Sequence, residues 1–255
     1  MLKKERKQLI FEYLQENGSG RVTELSKLFN VTEPTIRHDL KVLEEEGRVI
    51  RQHGSASIVE IKSFNSGIEL QPRGNEEKKT VIGRTASSFV SNDDIIILDS
   101  GSTVTELAKN IIDRKGLSVV TNAINIALLL GREPTNNVLL IGGEFKFPTL
   151  SLTGDRGIGI LQNIHVNKLF LATGGVSTEA GLTYPSFSDL AIKTKMIESA
   201  ETVYLLADST KIGKILFATL CSLKENIDVL ITDNEISNES KEEIEKLGIK
   251  VIIAE

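Results

Sequence analysis

The chain has 255 residues, of which 40% are hydrophobic and 25% charged, and its formal net charge is −5. These fractions are typical of a globular protein and exclude an extensively disordered or collagen-like chain. The length is sufficient for two domains with separate cores. The single cysteine, Cys221, excludes an intrachain disulfide, which fits a reducing compartment.

No stretch of the chain approaches the ~20 apolar residues that a membrane helix needs. The basic start of the chain leads into an amphipathic pattern instead of the apolar block of a secretory signal. We therefore expect a cytoplasmic protein with no membrane partner.

The first residues have the pattern of short helices. Apolar residues at helical spacing from Leu9 to Leu14 predict a first helix, which the Asn-Gly-Ser-Gly run at residues 17–20 ends. A second, shorter helix has Thr23 as its predicted N-cap and stops before Asn30. The two helices are therefore joined by a short arm.

A third helix follows directly. Thr32 is its predicted N-cap, and Gly47 is the predicted stop. Its buried stripe consists of Ile36, Leu40 and Leu43. The opposite face is therefore polar and points outward.

Residues 48–59 predict a hairpin joined across residues 53–55. Three helices and a hairpin form a winged helix, in which the third helix enters the DNA major groove and the wing contacts the backbone or minor groove. A short polar helix is usually a solvated surface, but its place between a leucine-rich helix and an arginine-rich hairpin favours DNA binding. The predicted DNA contacts are Thr32, Thr35, Arg37, His38, Lys41, Arg51 and His53.

The remainder of the chain predicts a larger α/β domain. Apolar runs alternate with helical patterns, which indicates a mostly parallel sheet. The predicted strands are residues 95–98, 117–120, 138–141, 169–172, 203–207, 229–231 and 251–254. We predict a winged helix at residues 1–60, a linker at 61–75 and the α/β domain at 76–255, because turn formers without periodicity fill the middle segment.

The first of these strands leads into a small-residue loop and a helix. Gly101 allows a close approach of the backbone to a ligand, and Ser102 or Thr103 is the predicted N-cap of the helix. Unpaired N–H groups at such a helix start attract phosphate, and Asp99 could accept hydrogen bonds from sugar hydroxyls. An ordinary strand-to-helix turn explains the same residues, so the loop alone does not decide between the two interpretations.

Small polar residues also follow other predicted strands. The carboxyl ends of parallel strands line the ligand crevice of an open sheet, so we expect these loops to share one site with the Gly101 loop. The candidate residues are Thr121, Asn122, Gly142, Gly143, Gly174, Gly175, Asp208 and Lys211.

Residues 21–47, with Thr-Ile-Arg-His-Asp-Leu at residues 35–40, and residues 51–56 resemble the DNA-binding region of DeoR-type bacterial transcriptional regulators. That family usually has Arg-Arg where this chain has Arg37-His38, and His-Gly-Gly-Ala where this chain has Ser55 in the third position. These differences bear on operator preference and not on whether DNA is bound.

The resemblance extends to the sensor domain of the family through residues 99–103, 119–123, 141–144, 174–177, 189–196 and 207–213. It implies a fold similar to ribose-5-phosphate isomerase and sugar-phosphate deaminases, and binding of a phosphorylated sugar without turnover. It also places Lys193 and Lys211 beside the effector, although each has a simpler explanation as a solvated helix face or a turn residue. Ser102 stands where the family usually has Thr, and Asp189 where it more often has Glu.

We therefore predict a homo-oligomeric repressor of a carbohydrate-utilisation operon. Its partners are double-stranded operator DNA and a phosphorylated sugar as effector, with no catalytic residues and no cofactor. The alternative is a sugar-phosphate isomerase or deaminase with an accessory DNA-binding domain, in which Asp99, Asp208 and Lys211 would supply the catalytic groups. The winged helix favours the regulator. No metal site is predicted, because the three histidines are scattered without a partner at ligand spacing.

Overall fold

The structure, a computed structural model, describes residues 3–45, 49–52, 54–58, 74–147 and 149–255. The chain divides into two compact units, Met1–Glu69 and Leu70–Glu255. Four predicted features lie outside the described residues: the helix stop at Gly47, the first hairpin residue Arg48, the DNA contact His53 and most of the linker, up to residue 73.

The first unit consists of three helices and a small antiparallel sheet. Its elements are α1 (Lys3–Asn17), β1 (Ser19–Arg21), α2 (Val22–Leu28), α3 (Glu33–Glu45), β2 (Val49–Gln52) and β3 (Ser55–Ile58). The strand order is β1-β3-β2, so β3 pairs with both neighbours. The winged helix predicted from the sequence is confirmed, with one additional strand, β1, that the prediction had treated as an irregular arm.

The core of this unit is built from apolar residues of every helix and of the sheet. Its buried members are Ile10, Leu14, Val22, Leu25, Ile36, Leu40, Leu43, Val49 and Ala56. The predicted inward stripe of α3 is therefore confirmed. The prediction of Thr23 as an N-cap is wrong: Arg21 occupies that position, because β1 runs directly into the helix.

One ion pair lies inside this core. Arg6 on α1 donates from Nε to Asp39 Oδ2 at 2.6 Å and from Nη2 to Oδ1 at 3.2 Å. Asp39 lies on the inner side of α3 and is fully buried, and Arg6 is nearly so. The hydrogen bonds that Arg6 donates to Asp39 raise the Arg6 pKa above its usual value. The pair therefore joins α1 to the helix predicted to read DNA.

The second unit is an α/β fold. Its elements are α4 (Glu76–Ser87), β4 (Ile95–Leu98), α5 (Ser102–Lys109), β5 (Ser118–Thr121), α6 (Ile124–Leu130), β6 (Asn137–Leu140), β7 (Glu144–Lys146), β8 (Ser151–Thr153), α7 (Asp155–Leu161), β9 (Val166–Ala172), β10 (Gly175–Ser177), β11 (Gly181–Tyr184), α8 (Leu190–Glu198), β12 (Ala200–Leu206), a 3₁₀ turn (Ser209–Lys211), β13 (Ala218–Cys221), α9 (Leu223–Asn226), β14 (Val229–Asp233), α10 (Asn238–Lys246) and β15 (Lys250–Ala254).

Seven of these strands form one parallel sheet in the order β15-β14-β12-β9-β4-β5-β6. All seven predicted strands are thus confirmed. Helices α4, α5 and α6 cover one face of the sheet, where Ile96 and Leu98 are buried, and α7, α8 and α10 cover the other, where Ile97 is buried. The order reverses between β4 and β9, which places a ligand crevice of this fold class at their carboxyl ends.

Two smaller antiparallel sheets, β10-β11-β13 and β7-β8, were not predicted. Within the residues that the structure describes, no helix is long and apolar enough to cross a membrane. In the same residues, no group of three His, Cys, Asp or Glu side chains could hold a metal ion. Cys221 on β13 is a free thiol, and burial raises its pKa to about 11.

Candidate functional site

Asp99 lies at the reversal of strand order, directly after β4, and its side chain is fully buried. Its Oδ2 accepts a hydrogen bond from the backbone N–H of Ala172, the last residue of β9, at 3.0 Å. A Cβ on Gly101 would lie 2.1 Å from Ala172 Cβ, so only glycine fits. The close approach inferred from Gly101 is therefore to the neighbouring strand end.

Lys193 reaches the same point from α8. It is 4% exposed, and its Nζ lies 2.5 Å from both carboxylate oxygens of Asp99. The ammonium also lies 5.1 Å from the ring centroid of Tyr184, whose hydroxyl donates to Ala172 O at 2.7 Å. Burial raises the Tyr184 pKa well above its usual value. The interpretation of Lys193 as part of a solvated helix face is therefore wrong, because tertiary packing has turned that face inward.

The start of α5 carries no side-chain cap. Gly101 occupies the N-cap position, so the prediction that Ser102 or Thr103 caps the helix is wrong: both belong to its first turn. A helix start leaves its first N–H groups without partners inside the helix, and the helix dipole adds partial positive charge there. The eight-residue helix thus presents donors to the crevice at the end of β4.

Thr121 and Asn122 follow β5 and are buried. Thr121 Oγ1 accepts from Ala123 N at 3.1 Å, and Asn122 Nδ2 donates to Leu152 O at 3.2 Å. Asn122 Oδ1, also buried, has no hydrogen-bond partner among the described residues. A buried acceptor of this kind requires an explanation, since nearly all such groups are paired.

Asp208 follows β12 and is also buried. Its Oδ1 caps the 3₁₀ turn by accepting from Thr210 N at 3.1 Å. The same oxygen accepts from Asn75 Nδ2 at 3.3 Å. Lys211, three residues further on, is half-buried, and no ion pair joins it to a carboxylate of the described chain. Among the residues that the structure describes, its ammonium therefore has no carboxylate counter-charge.

The two pairs of candidate glycines, Gly142–Gly143 and Gly174–Gly175, differ in the space that a Cβ would have at each residue. Gly143 has φ 156°, and a Cβ there would lie 2.2 Å from Thr153 O. A Cβ on Gly174 would lie 2.5 Å from Leu216 Cδ1, and one on Gly175 would lie 2.3 Å from Lys214 O. Gly142 has no neighbour within 4 Å of such a Cβ. Gly143 and Gly175 are thus needed by the chain itself, whereas at Gly174 the nearest atom is the end of a leucine side chain, which can shift.

Strand spacing decides which candidates lie near one another. Adjacent strands are about 4.8 Å apart, so the ends of β4 and β12 are separated by about 10 Å and those of β6 and β12 by about 19 Å. Asp208, Asp99 and Asn122 follow β12, β4 and β5, so they lie within about 14 Å along the sheet edge. Lys193 lies there too through its contact with Asp99. Gly142 and Gly143 follow the outermost strand and are remote from Lys211.

Two residues of this edge were missed by the sequence analysis. Asn75 Nδ2 donates to Asp208 and to Thr210 Oγ1, and Lys78 Nζ donates to Ser209 Oγ at 2.8 Å. Lys78 also pairs with Glu235 at 2.7 Å, which raises its pKa above the usual value. Asn75 and Asp208 are 133 positions apart. No local pattern in the sequence signals such a contact.

Most of the predicted DNA contacts that the structure describes are exposed. Thr32, Arg37, His38 and Lys41 are exposed, and Thr35 is half-buried. Arg37 pairs with Glu33 one turn earlier, with Nη2 to Oε2 at 2.9 Å, and remains 62% exposed. Thr32 directly precedes α3, and its hydroxyl lies 2.9 Å from that of Thr35.

Arg51 on β2 is fastened to α3. Its Nε donates to Glu44 Oε2 at 2.8 Å and its backbone N–H to Glu44 Oε1 at 3.1 Å. These bonds from Arg51 lower the Glu44 pKa. The wing is thereby held against the end of α3, with Arg51 itself exposed.

Comparison with known families matches both units. The DeoR C terminal sensor domain matches residues 74–234, which is more than half of the chain, and the DeoR-like helix-turn-helix domain matches residues 6–62. The chain belongs to the DeoR family. It is therefore a DNA-binding transcriptional regulator of that family and not an isomerase or deaminase.

Full-length relatives support the same family. The HTH-type transcriptional regulator GolR of Listeria innocua is 33% identical over 251 residues, covering 98% of each chain. The lactose phosphotransferase system repressor of Staphylococcus epidermidis is 30% identical over 254 residues, covering 96% of this chain and 97% of that one. Among solved structures, ribose 5 phosphate isomerase A from Neisseria gonorrhoeae superposes on 52% of each chain with a TM-score of 0.39 at 15% identity. The assignment to the DeoR family rests on the sequence matches.

Proposed function

We propose that this DeoR-family regulator represses a carbohydrate-utilisation operon and leaves its operator when a phosphorylated sugar binds at the carboxyl edge of the second unit. The observation that carries the proposal is the uncapped start of α5 at the point where the strand order reverses. A helix start binds phosphate through its N–H groups and its dipole. The relative from Staphylococcus epidermidis is named as a repressor of a lactose phosphotransferase system, and this name supports the proposal of a carbohydrate repressor.

The groups around that helix start suit the two ends of such a ligand. Lys211 supplies an ammonium for the phosphate, and Asn122 Oδ1 supplies an unpaired acceptor for a sugar hydroxyl. Asp99 and Lys193 neutralise each other beneath the crevice. We assign this pair mainly to holding β4, β9 and α8 in register, because both groups are buried and already paired.

The DNA side follows from the exposed face of α3. A single winged helix reads only a few base pairs, so we propose a homo-oligomer that binds repeated half-sites. Sedimentation of the full chain would show a species heavier than 28.0 kDa if this is correct. A monomer that binds its operator tightly would contradict it.

Arg37→Ala tests the reading helix. The side chain must exchange Glu33 for DNA, and a base contact of an arginine contributes about 1–3 kcal/mol of binding free energy. We expect affinity to fall by that amount for a duplex that the wild-type chain selects from a random library. The measurement is fluorescence anisotropy at fixed salt. Glu33→Gln removes the competing carboxylate and should not weaken binding; equal losses for all duplexes in Arg37→Ala would reduce Arg37 to a phosphate contact.

Lys211→Ala tests the effector site. The wild-type chain, bound to its selected duplex, is titrated with ribose 5-phosphate, glucose 6-phosphate, fructose 1-phosphate and fructose 1,6-bisphosphate. We expect at least one of these to release the duplex. A ligand shifts an equilibrium only by its differential affinity, so loss of its main charge contact should raise the concentration needed by about tenfold or more.

The variant should bind the duplex normally when no sugar phosphate is present. Lys224→Ala, which removes a cation within α9, is the control and should respond as the wild type does. Release of the Lys211→Ala complex at the wild-type concentration would show that Lys211 does not bind the phosphate. Loss of duplex binding by Lys211→Ala would show a structural role instead.

A further inference from the structure

The start of α4 is tied to the loop that carries Asp208 and Lys211. Asn75 Nδ2 donates to Thr210 Oγ1 at 3.0 Å and to Asp208 Oδ1 at 3.3 Å. Thr210 Oγ1 in turn donates to the same Asp208 oxygen. The three side chains therefore form one closed group of hydrogen bonds between α4 and the 3₁₀ turn.

Asn75 has an unusual conformation for its position. It is the N-cap residue of α4, and asparagine is among the best N-caps, yet its side chain makes no capping bond. Its backbone is left-handed, with φ 58° and ψ 33°, whereas an N-cap residue normally has extended dihedrals. The amide is thus directed away from its own helix and towards the turn. Asparagine and aspartate adopt this left-handed region more readily than other side chains, so Asn75 can hold it while its amide serves the turn.

A second contact fixes the same two segments. Lys78, in the first turn of α4, donates to Ser209 Oγ, and Ser209 N donates to Asp233 Oδ2 at 2.6 Å. Burial opposes ionisation of Asp233, but the hydrogen bonds from Ser209 and Glu235 outweigh it and leave the Asp233 pKa lowered. The turn is therefore held from two sides, while Asn75 is the contact nearest to the chain that leads to the winged helix.

We propose that Asn75, Thr210 and Asp208 form a latch that couples effector binding to the segment leading into the DNA-binding unit. The inference rests on the proposed function, since it assigns a regulatory role to the Asp208–Lys211 loop of that site. A sugar phosphate that engages Lys211 and Asp208 competes with Asn75 for the carboxylate. When Asn75 is released, its backbone is no longer held in the left-handed conformation. Asn75 is the N-cap of α4, the first helix of the second unit.

Asn75→Gly removes the side-chain hydrogen bonds of the latch. It keeps the backbone conformation, because glycine adopts a left-handed conformation readily. Two hydrogen bonds of ordinary net strength correspond to roughly a tenfold change in an equilibrium constant. We expect Asn75→Gly to bind the selected duplex about tenfold more weakly without any sugar phosphate, as the effector-bound wild type does. We also expect a smaller further loss on adding the sugar phosphate that releases the wild type.

Asp93→Gly is the matched control, because Asp93 is also left-handed, with φ 64°, and lies at the amino edge of the same sheet. It should bind the duplex as the wild type does. Thr210→Val removes the other partner and serves as a second variant if Asn75→Gly does not fold. The double variant, Asn75→Gly with Thr210→Val, should bind the duplex no more weakly than either single variant, since contacts within one group are not additive.

The outcomes separate the latch from the effector site. The latch would be overturned if Asn75→Gly bound the duplex as tightly as the wild type. It would also be overturned if the losses of duplex affinity in the two single variants added up in the double variant. If none of the four sugar phosphates releases the wild type, the proposed effector class is wrong, and the duplex affinities without sugar still decide the latch. A tenfold loss in Asn75→Gly and in Thr210→Val, with none in Asp93→Gly, supports it.

Discussion

Lys193→Met is expected to lower the free energy of unfolding of the second unit by about 3–5 kcal/mol, because it leaves the buried Asp99 carboxylate without its counter-charge. Methionine has a similar length and is apolar, so the packing against Tyr184 is largely kept. The measurement is hydrogen exchange of β4, β9 and α8 in the full chain, which reports the opening free energy of these elements separately.

Two further variants make this expectation specific. Lys195→Met, two residues along the same helix, removes an exposed pair with Glu198 and should change stability by less than about 1 kcal/mol. Asp99→Asn combined with Lys193→Met removes both charges and keeps an acceptor for Ala172 N, so it should recover much of the loss. Equal protection in Lys193→Met and the wild type would show that the pair does not support the crevice.

The sequence predicted the elements whose patterns are local. The seven strands of the parallel sheet are apolar runs, buried in the middle of the sheet and more exposed at its edge strand β6. The stripe of α3 has helical spacing, so each of these elements was found from its own residues. The missed strands, such as β1 and β10, have three residues with a glycine among them. Such segments become strands only because a partner supplies the hydrogen bonds.

The candidate site was predicted less completely, for a related reason. The positions after the strands were identified because a parallel sheet brings strand ends to one edge. The partners of those residues were not: Lys193 meets Asp99 across 94 positions, and Asn75 meets Asp208 across 133. The caps of α5 were also misassigned, since propensity favours Ser and Thr while the close approach to Ala172 requires Gly101 at that point.

Asp39→Ala is expected to have a similarly large effect on the first unit. Asp39 accepts both bonds from Arg6, so its removal leaves a guanidinium in the core with no carboxylate, and the unfolding free energy should fall by about 3–5 kcal/mol. A small domain has only about 5–15 kcal/mol in total, so most DNA binding should be lost at working temperature.

Hydrogen exchange of α1 and α3 in the full chain measures the destabilisation, and β4 and β9 provide an internal reference that should not change. Glu33→Gln breaks an exposed pair on the same helix and should alter stability by less than about 1 kcal/mol. Arg6→Met with Asp39→Leu replaces the pair by apolar groups and should restore protection close to the wild type, because such replacements are often neutral or stabilising. If α1 and α3 open as readily in the double variant as in Asp39→Ala, the loss of stability does not come from an unpaired buried charge. The two hydrogen bonds themselves then determine how α1 packs on α3.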